Sequence, residues 1–303
     1  MRNRRPTLRR ALAVAAVLPL VLGAAACAPE SDGGSSAADP ADSSGASSTA
    51  DADACATDTL PLKTAGQLTV GTDSPAYEPW FVDNDPANGK GFESAVAYAV
   101  AAQLGFSKDQ VKWIKVPFNT SYAPGAKDFD FDINQISITP QRQKVVDFSD
   151  GYYSAGQAVI ALKGTKGAEA TSLDDLKSLR LGAQTGTTSL TAIRDIIQPD
   201  TDPAVFEDTN AAKQALQNDQ VDAVLADLPT AFYISAVEIP KSTIVGQFQP
   251  ETGEQEEFGM LFEKGSELVP CVNSALSALR EDGTLDGIET QWLSDVVDVP
   301  VLQ

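Results

Sequence analysis

The chain of 303 residues contains no histidine. This absence excludes the Ser-His-Asp and Cys-His nucleophile systems, the HExxH zinc pattern and histidine general bases. Basic residues are also scarce: 22 Lys and Arg stand against 42 Asp and Glu, which gives a net charge of −20. Because the chain is so acidic, its folded part is not expected to bind nucleic acid or the surface of an anionic membrane. No residue pattern predicts a metal site or another cofactor.

Residues 1–26 have the pattern of an export signal. A head with five Arg precedes an apolar stretch over 11–26, which is too short to favour a membrane span and ends in small residues. Small residues directly before Cys27 resemble the bacterial lipobox, in which the cysteine receives a diacylglyceryl group. Two acyl chains suffice to anchor a protein. We predict a signal peptide over 1–26 and lipidation at Cys27. The alternative is a cleaved signal peptide followed by a free cysteine. The sequence does not distinguish export by the Sec pathway from export by the Tat pathway.

Residues 27–55 are predicted to form a flexible tether after the lipidated cysteine. The segment consists mainly of Ser, Ala, Asp, Gly and Pro and has no large apolar side chain. It therefore cannot bury enough surface to offset the conformational entropy lost on ordering. The remaining part of roughly 250 residues suits one large domain or two modest ones.

Two cysteines, Cys55 and Cys271, remain once Cys27 is assigned to lipid. In an exported chain such a pair is more often a disulfide than a metal site. We therefore predict a disulfide that joins the start of the folded part to its end.

Short strand-like apolar runs alternate with runs of helical periodicity. The pattern predicts a strand over 67–71, a helix over 92–104 that stops at Gly105, and a helix over about 189–197. An apolar run at 258–262 follows, and then two helices over about 267–279 and 285–293. Such alternation predicts an α/β fold with mostly parallel sheets. Because ligands bind beyond the carboxyl ends of strands in such sheets, the functional residues should follow strands.

Four stretches in a fixed order carry a family resemblance, and one of them contains the motif Ile-Thr-Pro-Gln-Arg at 138–142. They are similar to the type II periplasmic binding proteins of the polar amino-acid class (solute-binding family 3), here in lipoprotein form. The likeness covers essentially all of residues 60–295. The four stretches are Val70–Trp80, Ile136–Tyr153, Gly182–Thr188 and Val221–Asp227.

The resemblance implies a two-lobed α/β fold with two hinge crossings. Lobe 1 would comprise residues 56–153 plus 255–303, and lobe 2 residues 154–254. The function implied is that of an extracytoplasmic solute-binding protein, not an enzyme, which captures an amino acid between the lobes and delivers it to an ABC permease. It would be a monomer, lipid-anchored at the extracellular face of the cell membrane. A dehydratase or lyase on the same fold, with Asp73 or Glu78 as base, and a ligand-sensing module remain as alternatives.

An enclosed amino acid loses water from both its carboxylate and its ammonium, so each charge must meet a partner. The resemblance assigns the carboxylate to Arg142, whose guanidinium can donate two parallel hydrogen bonds to its two oxygens; the alternative is an ion pair with Asp147 or another surface acid. Asp227 ends an apolar strand, and the resemblance places the ammonium-binding aspartate at this position. Its alternative is to cap a helix that starts near Leu228.

Thr187 and Thr188 follow a strand and a glycine at a predicted helix start, where free N–H groups favour an anion. The alternative is that Thr188 caps this helix. The resemblance assigns the aromatic walls of the pocket to Tyr77 and Phe118.

Three further ligand contacts are predicted. The resemblance directs Asp73 toward the distal group of the ligand, although this residue also suits a turn before Pro75. Gln135 and Ser137 belong to the stretch before the arginine motif, where Asn134 and Gln135 stand in positions that are often small in relatives. The identity of the bound amino acid is therefore not predicted.

Overall fold

The computed structural model describes residues 55–249, 256–293 and 299–303. The predicted signal peptide over 1–26, the lipidation site Cys27 and the tether up to residue 54 lie outside this part of the chain. Within the described ranges, none of the helices combines the length and the hydropathy that crossing a membrane requires.

The described residues form two five-stranded sheets and a two-stranded ribbon, which confirms the predicted α/β class. The strands are β1 (Leu68–Thr72), β2 (Val111–Lys115), β3 (Phe131–Asp132), β4 (Val146–Phe148), β5 (Tyr153–Ala155), β6 (Gln157–Leu162), β7 (Leu181–Gln184), β8 (Ala204–Phe206), β9 (Ala223–Asp227), β10 (Ser242–Phe248), β11 (Glu256–Phe258) and β12 (Leu261–Glu263).

Nine α-helices are present in the same ranges. They are α1 (Phe92–Gln103), α2 (Phe118–Ser121), α3 (Pro140–Gln143), α4 (Leu173–Leu176), α5 (Thr188–Ala192), α6 (Thr209–Gln217), α7 (Leu228–Tyr233), α8 (Val269–Glu281) and α9 (Thr284–Leu293). The predicted helix at 189–197 is divided between α5 and a π-helical turn at Ile193–Ile197.

The first sheet, with the order β2-β1-β3-β12-β4, is the core of lobe 1. Strand β1 runs parallel to β2 and β3, whereas β12 is antiparallel to its neighbours. All five residues of β1 are buried, as expected for a central strand of a covered sheet. Its core includes the large apolar side chains of α1 and α8, among them Phe92 and Leu276.

The second sheet, with the order β10-β6-β9-β7-β8, is the core of lobe 2. Strands β9, β7 and β8 are parallel, and β6 is antiparallel to both β9 and β10. Two apolar clusters cover this sheet, one around Leu176 and Ile193 and the other around Leu216 and Ile234.

The antiparallel ribbon of β5 and β11 forms the two hinge crossings. Strand β5 leads from β4 in the first sheet to β6 in the second, and β11 leads into β12. The apolar run predicted at 258–262 is thus split between two strands. Gly259 lies at the break, where a Cβ would stand 2.8 Å from Ile138 Cγ1 and 3.0 Å from Phe148 Cδ1. This close packing requires glycine where the chain leaves the hinge.

The last described segment, 299–303, differs from the predicted lobe assignment. The prediction included it in lobe 1, but Leu302 is buried in the core of the second sheet. The Leu302 N–H donates to the Gln247 carbonyl at 2.8 Å, and Val301 forms a bridge to Gln247 on β10. A Cβ at Gly246 would stand 2.5 Å from Leu302 Cγ, so this glycine makes the room that Leu302 occupies. The other predicted lobe boundaries stay predictions.

The predicted disulfide between Cys55 and Cys271 is present, with the Cα atoms 5.4 Å apart. Both cysteines pack against the core of lobe 1. The bond links residues that are 216 positions apart, and closing a loop of that length contributes at most ~5 kcal/mol to stability in the chain-entropy model. Because both ends lie in lobe 1, the bond does not oppose a movement between the lobes.

Candidate functional site

A cavity of about 60 Å³ lies between the two sheets, and residues of both lobes line it. Asp73 follows β1, Phe118 follows β2, and Asp227 is the last residue of β9. The cavity is therefore at the carboxyl ends of the strands, where ligands bind in open α/β sheets. Its walls include eight of the nine predicted ligand residues, namely Asp73, Tyr77, Phe118, Gln135, Ser137, Thr187, Thr188 and Asp227.

Asp227 presents a carboxyl group on the lobe 2 wall. Its Oδ1 accepts a hydrogen bond from Gln157 Nε2 at 2.9 Å. Burial and repulsion by Glu256 raise the pKa of Asp227 to about 8. Asp227 is also the N-cap residue of α7, but its side chain makes no capping hydrogen bond. The carboxyl group is therefore not committed to the helix, and a positively charged partner would stabilise its ionised form.

Gln157 is a fully buried amide that links several polar groups of the cavity wall. Besides Asp227, its Nε2 donates to Glu256 Oε2 at 2.8 Å, and its Oε1 accepts from Ser189 Oγ at 2.5 Å. The second oxygen of Glu256, Oε1, is buried and has no hydrogen-bond partner among the described residues. Gln157 thus holds two carboxyl groups in a fixed orientation beside the cavity.

The two threonines at the start of α5 have different roles. Thr187 is the N-cap: its Oγ1 accepts from the Leu190 N–H at 3.1 Å and donates to the Gln184 carbonyl at 2.8 Å. The alternative that gave the cap to Thr188 is wrong, because α5 begins one residue earlier than predicted. Thr188 Oγ1 lies 3.3 Å from Ser137 Oγ of lobe 1, so two hydroxyl groups meet where the lobes join.

Arg142 is the one predicted ligand residue outside the cavity wall. It lies in a neighbouring groove that shares Thr187 and Thr188 with the cavity. Its Nη1 donates to the Ser137 carbonyl at 2.7 Å and its Nη2 to the Gly186 carbonyl at 2.9 Å. These two carbonyls belong to different lobes, so the guanidinium spans the junction between the lobes.

The Arg142 guanidinium is buried without an anionic partner. The residue is 8% exposed and forms no ion pair within the described ranges. Asp147, its alternative partner, pairs instead with Lys264 at 2.6 Å. Desolvation lowers the pKa of Arg142, and the ring of Tyr122 lies 4.7 Å from its Cζ. Since a guanidinium carries five N–H donors, it keeps donors for an anion beyond the two bonds to carbonyls.

Asp73 takes part in the turn considered from the sequence, whereas its contact with the distal group of a ligand stays a prediction. Its Oδ1 accepts from the Ser74 N–H at 2.6 Å in a turn before Pro75, and its Oδ2 accepts from the Phe118 N–H at 3.1 Å. The residue also lines the cavity. The two bonds fix its carboxylate against the start of α2.

Gln135 shapes the wall through its contacts with Glu93. The Gln135 N–H donates to Glu93 Oε1 at 2.6 Å, and its side-chain amide donates to Glu93 Oε2. Tyr152 donates its hydroxyl to the same buried carboxyl group, and burial raises the pKa of Glu93 to about 7. The side-chain amide of Gln135 is thus held by the protein, which fixes the contour of the cavity rather than leaving the amide free for a ligand.

Direct contacts hold the lobes together around the cavity. Trp80 Nε1 of lobe 1 donates to Thr230 Oγ1 of lobe 2 at 2.8 Å. The bond from Arg142 to the Gly186 carbonyl also joins the two lobes. The structure is therefore a closed arrangement in which the cavity is enclosed by both lobes.

Sequence reasoning missed Gln157 and Glu256. Gln157 had a usable signal, since it is the one polar residue of a strand whose other five residues are apolar. Glu256 had none, because it is 99 positions from Gln157 along the chain and meets it only in the folded protein.

Comparisons with known proteins agree with this architecture. The family model for bacterial extracellular solute-binding proteins, family 3, matches residues 68–295. The L-cystine-binding protein TcyJ of Escherichia coli (strain K12) is 30% identical over 237 residues, which cover 76% of this chain and 84% of that protein. The glutamine-binding protein GlnH of an ABC transporter of Bacillus subtilis (strain 168) is 30% identical over 216 residues, covering 70% and 76%.

A solved structure of an ancestral arginine-binding protein bound to glutamine is similar as well. It has 34% sequence identity and a TM-score of 0.64, and the match covers 76% of this chain and 99% of that one. The match over 68–295 spans the two sheets, the ribbon and the cavity between them. The chain therefore belongs to the bacterial extracellular solute-binding proteins of family 3.

Proposed function

We propose that this protein captures a free amino acid between its two lobes and delivers it to the permease of an ABC transporter. It acts as a monomer, anchored through a lipid on Cys27 at the extracellular face of the cell membrane. The observation that carries the proposal is the pairing of opposite charges around one enclosed cavity. Asp227 offers a carboxyl group on its wall that a cationic partner would ionise, and Arg142 offers a buried cation without an ion pair among the described residues directly beside the cavity.

In this proposal the ammonium of the ligand binds Asp227, with the hydroxyl groups of Ser137 and Thr188 as further partners. The carboxylate binds the remaining N–H donors of Arg142 and the N–H groups at the start of α5. Both charges of the zwitterion then exchange water for protein partners, which an enclosed site requires. The rings of Tyr77 and Phe118 pack against the apolar part of the ligand.

Closure follows from the distribution of these groups over the lobes. Arg142 and Ser137 belong to lobe 1, whereas Asp227 and Thr188 belong to lobe 2. A ligand that contacts both sides stabilises the closed arrangement, because only that arrangement completes both ion pairs. The ribbon of β5 and β11 is the hinge in this account.

The proposal contains no catalytic step. The alternative that made Asp73 a general base requires a carboxylate that can take a proton from a ligand. Both oxygens of Asp73 accept hydrogen bonds from backbone N–H groups, at 2.6 Å and 3.1 Å, which hold the side chain against the turn and the start of α2.

A thermal-shift screen tests the proposed function. The purified protein is heated with each of the twenty amino acids and with ornithine, citrulline and betaines. At about 100 times its Kd, a ligand that binds only the folded protein stabilises it by about 2.7 kcal/mol, so cognate amino acids are expected to raise the Tm. Betaines are expected to have little effect, because a quaternary ammonium has no N–H to donate to Asp227. A screen in which no amino acid raises the Tm contradicts the proposal.

A further inference from the structure

Gln157 brings two carboxyl groups close together where lobe 2 meets the hinge. Its Nε2 donates to Asp227 Oδ1 at 2.9 Å and to Glu256 Oε2 at 2.8 Å. Because both oxygens bond to the same nitrogen, they lie within the range of about 6 Å over which two charges influence each other's ionisation. Two negative charges at this separation repel each other, so the ionisation of both carboxyl groups costs free energy.

The orientation of the Gln157 amide is fixed from its other side. The side chain is fully buried, and its Oε1 accepts a hydrogen bond from Ser189 Oγ at 2.5 Å. Rotation of the amide by half a turn would place Oε1 against two carboxyl groups and would break the bond from Ser189. The nitrogen therefore stays directed at Asp227 and Glu256.

The two carboxyl groups differ in their access to a ligand. Asp227 lines the cavity, whereas Glu256 is not part of its wall. Glu256 is the first residue of β11, one strand of the hinge ribbon, and its Oε1 is buried without a hydrogen-bond partner among the described residues. The structure thus places Glu256 to act on a ligand through Asp227 rather than by direct contact.

The other charges that face Asp227 come from α1 and α3. Burial is the main cause that raises the pKa of Asp227 to about 8; repulsion by Glu256 adds to it, and Glu93 on α1 contributes less. The hydrogen bond from Gln157 and the positive charge of Arg142 on α3 oppose this rise. Neither Asp227 nor Glu256 forms an ion pair with Arg142 within the described ranges. Asp227 is therefore largely protonated at neutral pH unless a cation binds beside it.

Tyr153 of β5, the other strand of the hinge ribbon, lies near Asp227 and adds no charge. Burial, and then the carboxyl groups of Glu289 and Asp227, raise the pKa of its phenol above the ordinary value. The phenol therefore stays neutral over the pH range in which Asp227 titrates. Glu256 is thus the group of the hinge ribbon whose charge acts on Asp227.

We propose that Glu256 is a positioning residue, which acts through Gln157 and Asp227 so that the capture of an amino acid releases a proton. This inference rests on the proposed function and adds its regulation by pH. Before capture, Asp227 carries the proton and Glu256 carries the negative charge. When the ligand ammonium binds, the O–H bond of the Asp227 carboxyl group breaks, the proton passes to water or buffer, and the resulting carboxylate pairs with the ammonium. The proton and the amino acid thus compete for Asp227.

Isothermal titration calorimetry at several pH values tests this role of Glu256. The probe is whichever of the twenty amino acids raises the Tm most. Since only the ionised form of Asp227 is competent to bind the ammonium, the affinity of the wild-type protein should rise by about twentyfold between about pH 6.5 and pH 8.5. Glu256→Gln has nearly the same shape but no charge, so Asp227 ionises at lower pH. The rise in this variant should shrink to about fivefold or less.

The number of protons released on binding is a second readout, which a merely structural role of Glu256 would not change. It is obtained by repeating the calorimetry at about pH 7 in buffers of different ionisation enthalpy. The wild-type protein should release roughly one proton per amino acid bound, because Asp227 is protonated before capture and ionised afterwards. Glu256→Gln should release less than about half of that number.

Glu257→Gln is the matched control. Glu257 is the next residue of β11, so its side chain projects to the opposite face. It is exposed there, and its Cδ lies 2.8 Å from the position that a Cβ on Gly151 would occupy. This variant also removes one carboxyl group from the hinge ribbon, but it should keep the pH dependence and the proton release of the wild-type protein. Glu256→Asp retains the charge on a shorter side chain and should keep most of the pH dependence even with a lower Tm.

Three results would overturn the role of Glu256: a wild-type affinity that does not change with pH, the same rise in Glu256→Gln as in the wild-type protein, or equal proton release by the two. Any binding of amino acids leaves the proposed function intact in these cases. Failure of every amino acid to bind would instead refute the proposed function.

Discussion

Replacement of Arg142 with alanine is expected to weaken binding of the cognate amino acid by about 2–5 kcal/mol. The guanidinium is buried, carries no ion pair in the described residues and retains N–H donors beside the cavity. Removing it leaves the ligand carboxylate desolvated and without its cation, and such a stranded charge is costly. Titration calorimetry on the variant and the wild-type protein measures the loss.

Two controls separate carboxylate binding from a general effect on closure, since Arg142 also bonds to the Gly186 carbonyl of lobe 2. The first is the amine obtained by removing the carboxylate from the cognate ligand. The wild-type protein should discriminate against this amine, and Arg142→Ala should bind both compounds with similar affinity.

The second control is the variant Arg180→Ala. It removes a guanidinium that lies before β7, away from the cavity, and pairs with Asp222 at 2.8 Å. Its Kd for the cognate amino acid should match that of the wild-type protein. An unchanged Kd in Arg142→Ala removes this residue from the account.

Asp227→Asn is expected to weaken amino-acid binding by about 2 kcal/mol or more, because the ammonium loses its counter-charge. The pH profile gives a more specific signature. The pKa of Asp227 is about 8, and only its ionised form attracts an ammonium. The affinity of the wild-type protein should therefore increase as the pH rises through about 8, until the ligand ammonium itself deprotonates. In Asp227→Asn this increase should be absent or much smaller.

The deaminated analogue of the ligand is the matched test compound for Asp227. Its binding should change little in Asp227→Asn, while binding of the amino acid falls. Asp222→Asn is the matched control variant, since Asp222 lies just before β9, at the other end of the strand, and pairs with Arg180 and Lys166. It should leave the pH profile of affinity as in the wild type. Equal losses for the amino acid and its deaminated analogue would rule out the ammonium contact.

Much of the site could be predicted from the sequence because of the family resemblance. The resemblance indicates Asp73 and Phe118, the end of an apolar strand also indicates Asp227, and all three line the cavity. The disulfide was predictable for a different reason: after Cys27 is assigned to lipid, only one pairing is left for Cys55 and Cys271.

The parts that could not be predicted depend on contacts between distant segments. Gln157, Asp227 and Glu256 form one network although 70 and 99 positions separate Gln157 from its partners. No local pattern shows that such residues meet. The conformation of Arg142 is similar in this respect, because it is determined by carbonyls of two different lobes.

Backbone packing explains the differences in secondary structure. The apolar run at 258–262 is divided between β11 and β12, and Gly259, which lies between these strands, packs closely on Ile138 and Phe148. The family resemblance implied that residues 299–303 belong to lobe 1. Burial of Leu302 in the second core overrides their position in the chain.

The central claim is that one zwitterion bridges the two lobes through Asp227 and Arg142. A crystal structure of the complex with the cognate amino acid tests it most directly. The account predicts the ligand ammonium within hydrogen-bond distance of the Asp227 carboxylate, and the ligand carboxylate within reach of the Arg142 guanidinium. A ligand that contacts only one lobe, or that lies away from Asp227, would contradict it.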